Sequence, residues 1–322
     1  KNYGIKVYMK TIAIIGVGSI GRRHAEGVSK IKDEKCILLV DPIKKNLSNA
    51  LKLIDQKKTR VKCFRNVELI PNSIDLAILS CNSDQRYQVF EKLVYQRKIK
   101  NILLEKIIFT DTKSLFNFKE LVSQKKIKTW VNFTRREVAF YRNLKKKLRG
   151  EQIKSFEVIG GEWGLASNSL HFLDLILFLR NENEIVGNLE SYQLELTNSK
   201  RSGFFEFFGE LSFNLNNTYV CFNSFAGGDF SHLIKIRTDK SLIFIDETND
   251  KAWIKNDDTS IFSAINLPLM SEVSEIITAN IINNGTCFLP EYNYSMKLHE
   301  FYINQLEFLN LKFKTNNFTC IT

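Results

Sequence analysis

The feature that most constrains this chain is a junction. The apolar run Ile12 to Ile15 stops at Gly16, further glycines follow at Gly18 and Gly21, and a helix-compatible segment continues to about residue 30. A strand, a G-x-G-x-x-G turn and a helix in that order open a βαβ unit in which each glycine has a mechanical use. Gly16 permits the tight turn, Gly18 lets a pyrophosphate approach the backbone, and Gly21 lets helix and strand pack closely. The N–H groups of the helix start, those of Ser19 and Ile20 included, face the phosphates. The next apolar run, "CILLVD", ends in Asp41, twenty residues beyond Gly21. A carboxylate there accepts hydrogen bonds from ribose hydroxyls and repels a 2′-phosphate, which favours NAD over NADP. Lys44 and Lys45 just beyond it keep NADP open, and FAD or another adenine nucleotide uses similar loops.

The same rhythm runs through the first third. Strands are expected at 11–15, 36–40, 75–80 and 101–105, with helices near 20–30, 44–55, 84–97 and 113–125, a pattern that means a parallel sheet with crossover helices. "KTWVNF" (128–133) reads as its last strand, and a basic helix at 136–148 follows, with Gly150 as its C-cap. From 153 onward the segments are strand-like, rich in Phe, Ile and Tyr, and joined by short turns; helices are expected at 169–180, 271–283 and 293–310. A chain of 322 residues suits two cores. The expected fold is therefore α/β: a Rossmann dinucleotide-binding domain over 1–128, then an α+β domain over 129–322 with a large, mostly antiparallel, open-faced sheet. The helix at 293–310 is a candidate to pack back on the first domain.

Composition narrows the function classes. An apolar fraction of 44% with only 4 prolines describes a folded protein, and no stretch approaches the ~20 apolar residues of a membrane helix. The first eight residues, KNYGIKVY, do not read as a secretory signal, and Met9 is an alternative start. The six cysteines (Cys36, Cys63, Cys81, Cys221, Cys287, Cys320) show no metal-ligand spacing, so no metal is expected and they read as reduced thiols of a cytoplasmic protein. A net charge of +11 is spread along the chain; its densest cluster, Lys145 to Lys147 with Arg149, reads as a solvated helix face, and nucleic acid is not an expected partner. The basic balance favours small anionic substrates.

Three downstream stretches carry chemistry: "NILLEKIIF" with Glu105-Lys106, "RRE" after "VNFT", and "GGEWGLASNSLHFLDLILFL" with His171 and Asp174. On these residues, on "GSIGRRH" in the glycine loop, on "CNSDQRYQ" where a Thr-Pro-x-x-x-His loop is usual, and on "LPEYNYSMKLHEFY", the chain resembles the glucose-fructose oxidoreductase and inositol dehydrogenase family over nearly its whole length. The resemblance implies that Lys106, in a Glu-Lys-Ile counterpart of the family's Glu-Lys-Pro, stands beside nicotinamide and substrate. It implies that His171 is the general base of an Asp-x-Gly-x-His-x-x-Asp pattern, here read as Ser167-Asn168-Ser169-Leu170-His171-Phe172-Leu173-Asp174, with the first aspartate replaced by Ser167 and the glycine by Ser169. Cys81, Asn82 and Glu105 fall with Lys106 on the cofactor side; Ser167, Asn168 and His171 fall on the substrate side.

Oxidising a carbinol needs a base within about 3 Å of the hydroxyl oxygen, and imidazole has a pKa near the working pH. A desolvated Lys106 would offset charge developing on that oxygen, which sets the expected active site in a cleft between the domains. Arg135 and Arg136 are candidates to grip a substrate phosphate bidentately. Asp174 reads as a helix-orienting carboxylate, and His24 as packing near the cofactor; His232 and His299 carry no motif. The expected function is NAD(P)-dependent hydride transfer to or from a sugar, phosphorylated or nucleotide-linked sugars of surface-polysaccharide biosynthesis included. An imine or conjugated-acceptor reductase like biliverdin reductase, and a cofactor-binding partner protein without activity, are the alternatives. A homodimer or homotetramer through the open sheet is expected, because three helices cannot cover both of its faces.

Overall fold

The computed structural model describes residues 9–199, 204–227 and 232–313. The reading of residues 1–8 as lacking a signal, and the thiol of Cys320, lie outside them. The chain forms two compact units. The first runs to Phe109, takes Lys113–Asn132 and adds Pro268–Tyr292; the second takes Thr110–Thr112 and Phe133–Leu267 and resumes at Asn293.

In the first unit, strands β1 (Lys10–Ile15), β2 (Lys35–Val40), β3 (Arg60–Phe64), β4 (Ser73–Leu79), β5 (Lys98–Leu104) and β6 (Lys128–Val131) form one sheet in the order β3-β2-β1-β4-β5-β6. Every pairing is parallel. Helices α1 (Ser19–Lys30), α2 (Lys44–Leu51), α3 (Ser83–Gln96) and α4 (Thr112–Gln124) connect the strands. Ile12, Ile14, Ile37, Leu76 and Ile78 are fully buried, as expected of strands covered on both faces, which is why they read as unbroken apolar runs. The strand β3 was not expected; its Arg-Val-Lys-Cys-Phe sequence is polar because it forms the exposed edge. The last strand stops at Val131. The basic helix expected at 136–148 divides into a 3-10 turn, Thr134–Glu137, and α5, Ala139–Lys147, because Val138 between them is extended.

The domain boundary needs correction. The seventh helix, α7 (Met270–Asn284), belongs to the first unit, whereas residues from Asn293 onward group with the second. A side chain at Gly27 of α1 would place its Cβ 2.0 Å from the Ser271 carbonyl oxygen, so this glycine is what lets the two helix backbones meet. Val273, Ile277 and Ile281 then bury in one cluster with Val28, Ile31 and Ile54.

The second unit is built on an eight-stranded sheet, β7 (Ile153–Gly161) to β14 (Ser260–Ser263), in the order β14-β13-β12-β11-β7-β10-β9-β8. The intervening strands are β8 (Gly187–Asn198), β9 (Phe205–Leu215), β10 (Thr218–Phe225), β11 (Leu233–Thr238), β12 (Ser241–Asp246) and β13 (Lys251–Asn256). Only the β7–β10 pair is parallel. One face, with Phe156, Val158, Val220, Phe222, Ile234, Ile236, Ile243 and Ile245, is buried. Against its β7, β9 and β10 part lies α6 (Leu165–Arg180), apolar on nearly all sides. The last helix, α8 (Tyr292–Phe313), is tied to the start of α6 by the Tyr302 hydroxyl, which donates to the Ala166 carbonyl at 2.6 Å. The other face leaves Ile159, Tyr219, Phe225 and Leu233 exposed and carries a stack of rings, Phe244–Trp253–Phe262, with centroids 5.6 and 6.0 Å apart.

Candidate active site

The glycine loop has the geometry a pyrophosphate needs. Gly16 sits at φ +86°, and a Cβ there would lie 2.4 Å from the Cys81 backbone nitrogen. A Cβ on Gly21 would lie 2.0 Å from the Gly16 carbonyl oxygen, whereas one on Gly18 would meet nothing within 4 Å. Two glycines are thus fixed by packing and the third opens a space that any side chain would fill. Gly18 is also the N-cap of α1 and offers no side-chain acceptor, so the first-turn N–H groups face that space. Asp41, 4% exposed at the end of β2, accepts from the Val17 N–H (2.7 Å), the Ile43 N–H (2.8 Å) and the Asn46 amide (3.1 and 3.2 Å). It stands beside the glycine loop, and Asn46 is its one side-chain partner among these. The residues fit a dinucleotide.

At the end of β5 the buried Glu105 carboxylate accepts from His24 Nε2 at 2.8 Å and the Asn132 amide at 2.5 Å. Burial pushes its carboxyl up, but the His24 bond and charge, the Asn132 amide and the Arg86 charge prevail and hold it below the ordinary carboxylate value. His24 Nδ1 meets the Ser274 hydroxyl at 2.7 Å, so α7 helps to set this pair. Lys106 follows, half-buried, and the Lys106–Ile107 peptide is cis. Arg86, in "CNSDQRYQ", has no motif of its own to mark it. Its buried guanidinium donates through Nη1 to the carbonyls of Glu105 (2.6 Å), Ile107 and Ile108 (2.9 Å), and through Nε (3.1 Å) and Nη2 (2.5 Å) to that of Cys81. One cation therefore ties the Lys106 segment to the Cys81-Asn82 turn. Burial raises the Cys81 thiol, while Asn82 is exposed at the N-cap of α3.

In the second unit the first turns of α6 carry Ser167, Asn168 and His171. Asn168 donates its amide to the Trp163 carbonyl at 2.6 Å, and the half-buried His171 meets the Phe133 ring edge-on at 5.6 Å. Asp174, 1% exposed, receives both arms of Arg136 at 2.9 and 2.7 Å, and burial raises it in spite of that cation. Arg135 turns its Nε–Nη2 edge to Glu247 at 2.8 and 2.6 Å, with its guanidinium 4.3 Å above the Phe172 ring. Both arginines expected to fork a substrate phosphate thus hold carboxylates of their own chain. Glu247 also accepts from the Tyr141 hydroxyl (2.5 Å) and His232 Nε2 (3.1 Å); burial opposes its charge, but Arg135, His232 and Tyr141 hold it far below the ordinary carboxylate value. No sequence motif announced Glu247, Tyr141 or His232, which come from three separate segments.

Residues 10–133 match the profile of a family described as "Oxidoreductase family, NAD-binding Rossmann fold" (GFO_IDH_MocA). No curated protein matches by sequence. Among solved structures, UDP-N-acetylglucosamine 3-dehydrogenase GnnA from Acidithiobacillus ferrooxidans is 14% identical, covering 92% of this chain and 97% of its own, with a TM-score of 0.72. Scyllo-inositol dehydrogenase from Lactobacillus casei, with bound NAD(H) and scyllo-inositol, is 16% identical over 93% of this chain and 96% of its own, with a TM-score of 0.67. The transcriptional regulator Gal80p from Kluyveromyces lactis is 14% identical over 96% and 91%, with a TM-score of 0.71. At these identities the structural matches establish a shared fold. Among the described residues no helix is long and apolar enough to cross a membrane.

Proposed function

Because residues 10–133 match the profile of this NAD-binding oxidoreductase family, we propose that the protein transfers a hydride between NAD and a carbinol carbon of a sugar or cyclitol, phosphorylated and nucleotide-linked sugars included. The observation that carries the reading is the strand-end pair Glu105-Lys106, clamped by Arg86 to the Cys81 turn that itself packs on Gly16. That arrangement fixes a lysine at the carboxyl ends of parallel strands, where ligands of open α/β sheets bind. Bound NAD would supply the hydride acceptor. Gly16, Gly18, Gly21 and the α1 N-terminus would hold its pyrophosphate, and Asp41 would hold the ribose, with the Asn46 amide the partner that gives way.

Lys106 would donate a hydrogen bond to the substrate oxygen and offset its developing charge. His171 would take the hydroxyl proton on its unprotonated nitrogen as the hydride leaves carbon. Ser167 and Asn168, one turn earlier on α6, would shape the sugar side. Arg135 could add only its Nη1 edge to an anion, since the other edge faces Glu247. That the solved structures sharing this fold include a UDP-N-acetylglucosamine 3-dehydrogenase and a scyllo-inositol dehydrogenase supports the substrate class.

The test is reduced-cofactor consumption or formation with neutral cyclitols, sugar phosphates, nucleotide sugars and conjugated imines. Turnover of a polyol or its ketone is expected; turnover of imines alone would move the protein to the reductase class. Cofactor binding with no turnover of any kind would favour a non-enzymatic role, which the fold of the regulator Gal80p allows. The exposed apolar face of the second sheet, with its stacked rings, supports a dimer or tetramer. Light scattering at micromolar concentration checks this, and a strictly monomeric mass would contradict it.

A further inference from the structure

The first turn of α6 has no side-chain cap from its own N-cap, Gly164. Glu206, at the start of β9, serves it instead. Its Oε1 accepts from the N–H groups of Ala166 and Phe207 (3.0 Å for the latter), and its Oε2 from the Ser167 N–H at 3.3 Å and the Ser167 hydroxyl at 2.8 Å. Gly164, at φ +77°, leaves room for the pair, since a Cβ there would lie 2.7 Å from Ser167 Oγ and 3.2 Å from Glu206 Oε2. Ser167 and His171 are four residues apart on one helix and so share a face, one turn apart. A carboxylate from a distant strand is thereby anchored on the hydroxyl that precedes the imidazole.

We propose that Glu206 is a positioning residue for His171: acting through the Ser167 hydroxyl, its carboxylate orients the imidazole and stabilises its protonated form. The proposal deepens the reading of His171 as the proton acceptor and rests on it. A serine hydroxyl can donate to a carboxylate and accept from an N–H at once, so Ser167 extends the influence of Glu206 by one turn. The other charged and titratable groups on the elements packed here compensate one another. Asp174 on α6 is held by Arg136, and Arg135 by Glu247, which also takes His232 and Tyr141. From α8 come His299, whose Nδ1 meets the Ser295 carbonyl at 2.7 Å, Tyr302, whose hydroxyl donates to Ala166, and Tyr294, under the Arg136 guanidinium. Among the described residues, no lysine or arginine lies within ion-pair distance of Glu206.

A cap alone would tolerate a neutral acceptor, because the amide oxygen of glutamine still receives backbone N–H groups. The test reads the imidazole itself. In the full-length protein without ligands, labelled with 15N-histidine, only four histidines contribute, and His171→Gln assigns the one of interest. Its titration midpoint is expected to fall by about one pH unit in Glu206→Gln, the low end for losing a nearby opposite charge. Ser167→Ala, which keeps the carboxylate and removes the bridge, is expected to lower it too, and Ser167→Asp placed in Glu206→Gln to restore it. An unchanged midpoint in either single variant overturns the proposal; should Glu206→Gln fail to fold, Ser167→Ala decides alone. Neither cofactor nor substrate enters the measurement, so failure here leaves the dehydrogenase reading standing. That reading fails separately if His171→Ala leaves turnover intact.

Discussion

Glu105 in the first unit and Glu247 in the second meet the same physical problem with different partners. Burial opposes the charge of each, and in each the partners prevail and keep the carboxyl below its ordinary value. Glu247 is gripped by both arms of Arg135, a cation that never gives up its proton, with Tyr141 and His232 filling its remaining acceptor sites. Glu105 instead takes an imidazole and an amide, with Arg86 near but occupied by backbone carbonyls. A guanidinium fork rivets one geometry. An imidazole and an amide hold the other without a bidentate cation.

The largest effects should come from the two groups proposed to act on the substrate oxygen. His171→Ala is expected to cost about 10²- to 10⁴-fold in kcat with little change in cofactor affinity, as loss of a general base does. Lys106→Ala should fall in the same range. Next come the two carboxylates. Glu247→Ala strands Arg135 and should remove about 3–5 kcal/mol of stability in urea unfolding. Glu105→Ala should remove about 1–3 kcal/mol, because it takes the acceptor from two hydrogen-bond donors and strands no bidentate guanidinium. Equal losses would erase the contrast.

Acid should expose the same difference more gently. With folded-state values below the unfolded one, Glu105 and Glu247 contribute fully above the ordinary carboxylate pKa of about 4.3, and that contribution is lost as pH falls through the lowered values. Asp174, raised by burial, has the opposite sign: its cost is present above the unfolded value and is relieved on acidification. Melting temperatures followed below pH 5 should therefore drop in the wild type, and less steeply in Glu247→Gln. The smallest effect should be at Asp41, where serine removes the repulsion of a 2′-phosphate and shifts preference toward NADP by about tenfold, or 1.4 kcal/mol.

Regions held by local rules were legible in the sequence. The run Ile12 to Ile15 and the glycines after it report a buried strand and a turn because an unbroken apolar run and closely spaced glycines carry that signal within one short stretch. Asp41 follows from strand length. Edge strand β3 was not legible, since exposure makes it polar. The second unit hid its chemistry in pairings across long separations: Arg135 with Glu247 lies 112 residues apart, and Ser167 with Glu206 lies 39. An arginine before a helix looks the same whether it faces substrate or a carboxylate from another strand. Gly27 was equally silent, because only the approach of α7 gives it meaning.

Titration calorimetry of NAD into the wild type and Gly18→Val tests the central claim most directly. A Cβ at Gly18 meets no protein atom within 4 Å, so the variant should melt as the wild type does. The same side chain would stand where the pyrophosphate must approach the backbone, so binding seen in the wild type should weaken by at least about 100-fold, or 2.7 kcal/mol. Equal affinity in the two proteins, or no NAD binding by the wild type, would contradict the assignment of this loop as the cofactor cradle and the oxidoreductase function built on it.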